Sequence, residues 1–276
     1  MRVMAIVAAY NERRFIEPCL RHLDDHGVDA YLIDNESTDD TVERAERWLG
    51  RNLAGIESFS RREDGIYDWR SLLTRKEELT RELNADWFIH LDPDEVRLPP
   101  TRGQTLAGAL EAVDREGFNA VDFSELTFIP TREEPDHDHP DFGQTLRTYY
   151  PFAPRSPHQL KAWKANPEIE LARSAGHRVS FPGLRMYPRP FPMKHYLFLS
   201  IPHAVEKYVE RNYDPREVES GWHGWRATIA APDIRLPSAS ELRQTESDDD
   251  LDFSKPRKTH YVDEQRAADL AAPRQP

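Results

Sequence analysis

Strand and helix patterns alternate through the first 125 residues of this 276-residue chain. Apolar runs of strand length are followed by segments in which apolar side chains recur at helical spacing. The strands are predicted over about residues 2–9, 30–34, 55–60, 87–92 and 120–123. The helices are predicted over about residues 13–26, 42–49, 69–83 and 106–115. This repetition predicts an α/β fold with a mainly parallel sheet and helices on both faces.

The second half of the chain is irregular, because prolines become frequent after about residue 129. Short strands are predicted over 145–150, 159–163, 178–181 and 193–199, and a helix over 203–212. From about residue 232 the chain has few apolar residues, so this segment is either disordered or wrapped along the surface. We therefore expect a division into residues 1–130, 131–231 and 232–276.

Charge and cysteine content exclude several classes of protein. The chain has 37 basic and 49 acidic residues and a net charge of -12, which gives no general attraction to nucleic acid or anionic lipid and favours small-molecule substrates. No apolar run is long enough for a membrane span, and the apolar start is cut short by Asn11-Glu12-Arg13-Arg14, which predicts a cytoplasmic protein. The single cysteine, Cys19, lies in a helical pattern and is predicted to pack in the core.

The apolar run Trp87-Phe88-Ile89-His90-Leu91 stops abruptly in Asp92-Pro93-Asp94-Glu95. Ligands of open α/β sheets bind beyond the carboxyl ends of the parallel strands, which is where these acids are predicted to lie. Asp-x-Asp offers oxygen ligands suited to magnesium or manganese that is also bridged to substrate phosphates. A nucleotide diphosphate is the expected partner, and Glu95 is expected to orient its neighbours or an acceptor.

Two earlier strands also end in polar motifs, Ala8-Ala9-Tyr10-Asn11-Glu12 and Asp34-Asn35-Glu36-Ser37. The ring of Tyr10 can cover a nucleobase, while Asp34 can accept a hydrogen bond from a base N–H or a ribose hydroxyl. Simple helix capping by residues 34–40 is an alternative for the second motif.

These three motifs, in this order, resemble the family-2 type of inverting glycosyltransferase with the GT-A fold, in its Asp-x-Asp-Glu subgroup. The resemblance covers residues 2–130, and 175–226 more loosely. It implies a GT-A-like, Rossmann-like domain that transfers a sugar from a nucleotide-diphosphate sugar to an acceptor hydroxyl, with inversion and a divalent cation. Residues 1–130 would then bind the donor and residues 131–231 the acceptor, with no nucleic-acid partner and no integral membrane segment.

Carried over to this chain, the resemblance gives a set of site residues. For nucleotide binding they are Ala8, Tyr10, Asn11, Glu12, Asp34, Asn35, Ser37, Arg75, Lys76 and Asp92; for the metal, Asp92, Asp94 and His195; for the diphosphate, Lys207 and Arg211. For Arg75 and Lys76 a solvated helix face is an equal alternative.

His195 is predicted to complete the metal shell, as a late histidine does in many GT-A enzymes, and this would favour manganese. A hydrogen-bonded core histidine is the alternative, and His177 and His223 are weaker candidates for the ligand. An inverting transfer also needs a general base. Glu125 and Asp122 are the candidates at the predicted fifth strand, with Glu170 as a rival.

Other features have simpler explanations. The acidic and histidine-rich segment 136–141 is expected to be a solvated loop rather than a metal cluster, although its length suits a lid over the acceptor. Trp163, Trp222 and Trp225 are expected in the core rather than stacked on sugar.

Two further function classes stay open. One is a nucleotidyltransferase, a phosphatase or another metal-dependent nucleotide enzyme; against it, the first βα turn has no glycine-rich phosphate loop. The other is a non-catalytic binding protein that has kept the fold.

Overall fold

The strand–helix alternation of the sequence is present in the computed structural model, which describes residues 1–62 and 65–264. In chain order the elements are β1 (Val3–Ala9), α1 (Ile16–Asp25), β2 (Asp29–Asp34), α2 (Thr41–Glu46), β3 (Leu53–Ser58), α3 (Trp69–Glu82), β4 (Trp87–Leu91), β5 (Glu95–Arg97), α4 (Leu106–Arg115), β6 (Ala120–Phe128), α5 (Phe142–Thr145), β7 (Thr148–Phe152), β8 (Gln159–Lys164), β9 (Phe191–Tyr196), α6 (Ile201–Ala204), α7 (Pro215–Glu219) and β10 (Arg243–Gln244). Two units divide them: Met1–Glu125 with Pro157–His195, and Leu126–Ser156 with the chain from Tyr196. The predicted three-part organisation stays a prediction.

The sheet of the first unit is mainly parallel. Strands β3, β2, β1 and β4 lie side by side in that order and run in one direction. Strand β8 pairs antiparallel with β4, and β6 pairs antiparallel with β8. Because crossovers between parallel strands are right-handed, α1 and α2 cover one face and α3 the other. The predicted α/β class is confirmed, and the chain order reverses between β1 and β4, which is where such sheets bind ligands.

Apolar stripes on the helices explain how this unit is packed. Helix α1 buries Ile16, Leu20 and Leu23 against the sheet, together with Cys19, which packs in the core as expected. Helix α3 starts at Asp68, whose side chain accepts a hydrogen bond from the backbone N–H of Ser71 at 3.0 Å. Such a cap satisfies one of the unpaired donors of the first turn.

A short strand that the sequence did not predict follows the acidic motif. Strand β5 pairs antiparallel with β9, in a register that sets Glu95 opposite His195 and Arg97 opposite Met193. The late histidine is thereby brought beside the acids that follow β4.

The second unit has shorter elements. Strands β7 and β10 pair antiparallel, and an apolar cluster that includes Tyr150, Leu197 and Trp225 forms the core. The continuous helix predicted over 203–212 is instead α6 followed by one π-helical segment, Val205–Val209. The strand predicted over 178–181, in the first unit, was wrong: within the described residues this segment makes only isolated bridges, at Arg178 and Ser180.

The C-terminal segment is described as far as residue 264, and residues 265–276 lie outside the described residues. Ile234, Leu236, Tyr261 and Val262 are buried in the core of the second unit. Over residues 1–62 and 65–264, no helix combines the length and apolarity that a bilayer crossing requires. A cytoplasmic location stays a prediction.

Candidate active site at the carboxyl ends of the parallel strands

The loops that follow β1 and β2 are joined by hydrogen bonds. The Ser37 hydroxyl accepts from the backbone N–H of Asn11 at 3.0 Å, and the Asn11 side chain accepts from the N–H of Thr38 at 2.8 Å. Asn11 has φ of +56°, a left-handed conformation that asparagine tolerates better than most residues. The Thr41 hydroxyl accepts from the N–H of Glu12 at 2.8 Å. Three predicted nucleotide-binding residues therefore lie together, and they fix the loop after β1.

Asp34 lies at the end of β2 and has one unused oxygen. Its Oδ2 accepts from the N–H of Ser37 at 3.1 Å, whereas its Oδ1 is buried and has no hydrogen-bond partner among the described residues. Leaving a buried acceptor unsatisfied costs about 1–3 kcal/mol. At the start of α2 it is Asp39, not Asp34, that contacts the helix: its Oδ1 accepts from the N–H of Thr41 at 3.0 Å. The Asp34 carboxylate is thus left available to a donor from outside the chain.

The ring of Tyr10 is half-buried and is covered by a cation. The guanidinium of Arg61 lies 4.2 Å from the ring centroid, at a distance typical of cation–π contacts. Arg61 is held by Glu36, which accepts from its backbone N–H at 3.1 Å, and by Gly65, whose carbonyl accepts from its guanidinium at 2.7 Å. Asn35 is used locally, since its side chain donates to the carbonyl of Phe59 at 2.9 Å. A planar ligand would have to stack with Arg61 or displace it.

The acids after β4 occupy different environments. Asp94 is buried, and its Oδ2 lies 3.4 Å from Nε2 of His195. The side chain of Asp92 is about one-third exposed, at 34%. Of the three residues predicted to hold the metal, two therefore face each other, and the third lies closer to solvent.

Glu125 is buried and accepts from three donors. Its Oε1 lies 2.8 Å from Nδ1 of His195, and its Oε2 lies 3.0 Å from Nε2 of His158 and 2.8 Å from the amide nitrogen of Gln159. Burial disfavours its ionised form, but the two imidazoles outweigh burial and hold the pKa of Glu125 well below its usual range. Burial likewise opposes the charge on His195, yet Asp94 and Glu125 raise its pKa to about 10.

The donor set suits a divalent cation in part. Within residues 1–62 and 65–264, no three His, Cys, Asp or Glu side chains are gathered closely enough to hold a metal ion. Asp94 supplies a carboxylate, and His195 would supply an imidazole once a cation displaces the proton of Nε2; manganese accepts both ligands. Because Glu125 engages Nδ1 of His195, Nε2 points toward Asp94, and this is how metal-ligating histidines are commonly oriented. The residues fit a cation whose other ligands come from substrate phosphates and water.

A second layer of buried charges, which the sequence analysis missed, lies behind the acids. Lys161 of β8 donates to Glu95 Oε1 at 2.9 Å, and Arg97 donates to Glu95 Oε2 at 2.5 Å. Nζ of Lys161 also lies 3.8 Å from Oδ2 of Asp92. The alternating polar and apolar pattern of residues 159–164 suggests one solvated face, whereas Gln159 and Lys161 are both buried.

The two basic residues of α3 take different positions. Arg75 makes ion pairs with Glu57 at 2.9 Å, Glu78 at 3.1 Å and Glu82 at 2.8 Å, which agrees with the surface alternative. Lys76 is fully buried and donates to Nδ1 of His90 at 2.8 Å. Burial lowers the pKa of Lys76 to about 8. Nucleotide binding by either residue stays a prediction.

The remaining candidates of the first unit have the following contacts, and their roles stay predictions. Asp122 accepts from the backbone N–H of Gln159 at 2.7 Å, and burial raises its pKa. The side chain of Glu170 is 58% exposed, beside Arg173. The ring of His177 stacks on His158 with centroids 5.8 Å apart.

In the second unit, Nζ of Lys207 donates to the carbonyl of Leu197 at 3.3 Å, and the ring of His223 contacts Glu217 at 2.7 Å. Roles for Lys207 and Arg211 toward a diphosphate stay predictions.

Segment 136–141 is exposed, as expected of a solvated loop, at every residue except His137. His137 is buried, and both His137 and His139 lie within 3.1 Å of the Thr145 hydroxyl. Trp163 and Trp225 are buried in the cores of their units, whereas Trp222 is half-buried.

No family model matches the chain, and no curated protein sequence is significantly similar to it. Among solved structures, residues 1–349 of TarS from S. aureus match with 12% identity over 79% of this chain and 68% of that chain, at a TM-score of 0.40. Glucosyl-3-phosphoglycerate synthase from Mycobacterium tuberculosis, in complex with Mn2+, UDP and glucosyl-3-phosphoglycerate, matches with 20% identity over 45% of this chain and 44% of that chain, at a TM-score of 0.28. This chain therefore spans less than half of the synthase. At such TM-scores the assignment of function rests on the residues of this chain.

Proposed function

We propose that this protein is a family-2-like glycosyltransferase that moves a sugar from a nucleotide-diphosphate sugar to an acceptor hydroxyl, with inversion and with a divalent cation. One observation carries the proposal. At the carboxyl-end edge of the parallel strands, Asp34 at the end of β2 keeps an oxygen with no partner among the described residues, and Asp94, which follows β4 on the other side of β1, faces His195 of β9. This combination suits a ligand with a hydrogen-bonding base at one end and a diphosphate at the other.

The donor nucleoside would bind at the ends of β1 and β2. Oδ1 of Asp34 is available to accept a hydrogen bond from a base N–H or a ribose hydroxyl. The ring of Tyr10, with Arg61 above it, offers a planar surface for the base. The more exposed Asp92 is suited to a ribose hydroxyl or to water around the cation.

Asp94 and His195 would hold the cation, which when bound neutralises the diphosphate leaving group and lowers the barrier to breaking the glycosidic bond. Glu125 supports this arrangement by fixing Nδ1 of His195. Since three donors occupy its two oxygens, we assign Glu125 a positioning role, whereas removal of the acceptor proton needs a carboxylate that can change partners.

Donor hydrolysis and transfer test the proposal. The full chain is incubated with UDP-, GDP- and dTDP-sugars and Mn2+ or Mg2+, and release of the nucleoside diphosphate is measured. We expect turnover of at least one donor, and a loss of about a hundredfold or more in Asp94→Asn, assayed at a temperature at which circular dichroism shows the variant to be folded. Asp114→Asn is the matched control, since Asp114 pairs with Lys164 on the surface at 2.6 Å.

Absence of both turnover and donor binding across this panel would overturn the proposal. Inversion is tested separately, by NMR of the anomeric proton in the transferred sugar.

A further inference from the structure

The charges behind the acidic motif do not balance without Asp92. Lys161, Arg97 and Glu95 are all buried, and Glu95 is shared between the two cations. Two positive charges therefore face one carboxylate, and the nearest further carboxylate to Lys161 is that of Asp92, at 3.8 Å. Buried charges are stable in proteins only when they are paired.

Other charged groups near the motif do not take over this role. Asp94 faces His195 at 3.4 Å, and Lys76 lies against His90 and the carbonyl of Leu91. The two aspartates of the motif thus face different bases: Asp94 faces an imidazole and Asp92 a lysine ammonium. Glu95 fixes the ammonium at 2.9 Å, so that its charge stays beside Asp92.

We propose that the ammonium of Lys161 neutralises the carboxylate of Asp92 and thereby weakens the affinity of the Asp92–Glu95 motif for a divalent cation. Asp94 and His195 are then the metal ligands of the protein, while Asp92 stays with the lysine. This inference rests on the proposed function, because it concerns the same cation. Lys161 is a positioning residue and does not touch the reacting atoms.

Metal binding without turnover tests the inference. The full-length protein is stripped with a chelator and titrated with Mn2+ alone, and free Mn2+ is measured by EPR. Removing a positive charge a few ångströms from the site makes its potential more negative, so Lys161→Met is expected to bind Mn2+ about three- to thirtyfold more tightly than wild type. Lys164→Met, on the same strand but with a half-exposed side chain, is the control and is expected to stay within about twofold.

Unchanged or weaker Mn2+ binding in Lys161→Met would show that the lysine only pairs with Glu95 and does not affect Mn2+ affinity through Asp92, which overturns the inference. If wild type binds Mn2+, the proposed function is unaffected by that result. Absence of Mn2+ binding in every variant overturns the inference, whereas the proposed function is decided by the panel of sugar donors. Binding by Lys161→Met but not by wild type supports the inference, because the lysine then weakens Mn2+ binding below the level that is detected. If Lys161→Met does not fold, Lys161→Gln replaces it: the amide can still donate to Glu95 but carries no charge, so Mn2+ binding should again be tighter than in wild type, and unchanged or weaker binding overturns the inference.

Discussion

The burial of Lys76 under β4 predicts an unusual alkaline dependence of stability. Its ammonium is fully buried and donates to Nδ1 of His90 and to the carbonyl of Leu91. Burial lowers the pKa of Lys76 from 10.5 to about 8. At about 1.4 kcal/mol per pKa unit, this difference corresponds to about 3 kcal/mol.

The direction follows from proton binding. Between pH 8 and pH 10.5 the unfolded chain retains the proton of Lys76, whereas the folded chain has lost it. Stability therefore increases with pH across this window, and below pH 8 both states are protonated, so the contribution no longer changes. The free energy of unfolding of wild type, minus that of Lys76→Met, should rise by about 3 kcal/mol over the window.

Urea unfolding of both proteins at several pH values measures this difference, and subtraction cancels the groups that the two share. Lys164→Met is the matched control: its side chain is 50% exposed and pairs with Asp114, so its difference curve should vary by less than about 1 kcal/mol. Parallel curves for wild type and Lys76→Met would refute the reasoning, because they would mean that the lysine is solvated or that its proton is held equally in both states.

Three further predictions concern other contacts. Gly176→Ala should destabilise the protein by about 2–4 kcal/mol in urea unfolding, since Gly176 has φ of +82° and an added Cβ would lie 2.9 Å from Leu73; a loss below about 1 kcal/mol would contradict this. Asp68→Ala should cost about 1 kcal/mol in the same assay, because the cap on Ser71 is lost, and Asp68→Ser should restore most of it. Glu125→Gln should weaken Mn2+ binding about tenfold by calorimetry, because an amide cannot accept from both imidazoles; unchanged affinity would argue against its positioning role.

The sequence was informative wherever local pattern decides structure. The apolar run Trp87–Leu91 forms β4, and the motif from Asp92 to Glu95 follows its carboxyl end as predicted. The carboxyl ends of the strands in a parallel sheet lie at one edge of the sheet. The strand–helix alternation alone therefore predicts that Tyr10, Asp34 and the acids after β4 lie on the same side. The prediction that His195 lies near these acids came from the resemblance to a glycosyltransferase family. No local spacing in the sequence indicates the pairing of β5 with β9, which places His195 beside the acids.

The burial of polar side chains is the feature that could least be predicted from the sequence. Gln159 and Lys161 alternate with apolar residues as they would on a half-solvated strand, yet β8 is inserted between β4 and β6 and is covered on both sides. A polar residue is stable there only if a partner is supplied from elsewhere in the chain. Those partners, Glu95 and Glu125, are more than 30 residues away, beyond the reach of any local pattern.

A carboxylate's role depends on the donors around it more than on its place at a sheet edge. Glu125 lies where a general base was expected, and its contacts with His158 and His195 are the reason for which we propose a positioning role instead. The same matching extends across the first unit, where early acids pair with late bases: Asp94 with His195, Glu95 with Lys161, and Glu125 with His158. All three bases come from residues 157–195, so this irregular segment supplies the charges that allow the acids to be buried. Replacing one of these bases removes a charged partner from a buried carboxylate, and its effects on folding and on metal binding must therefore be measured separately.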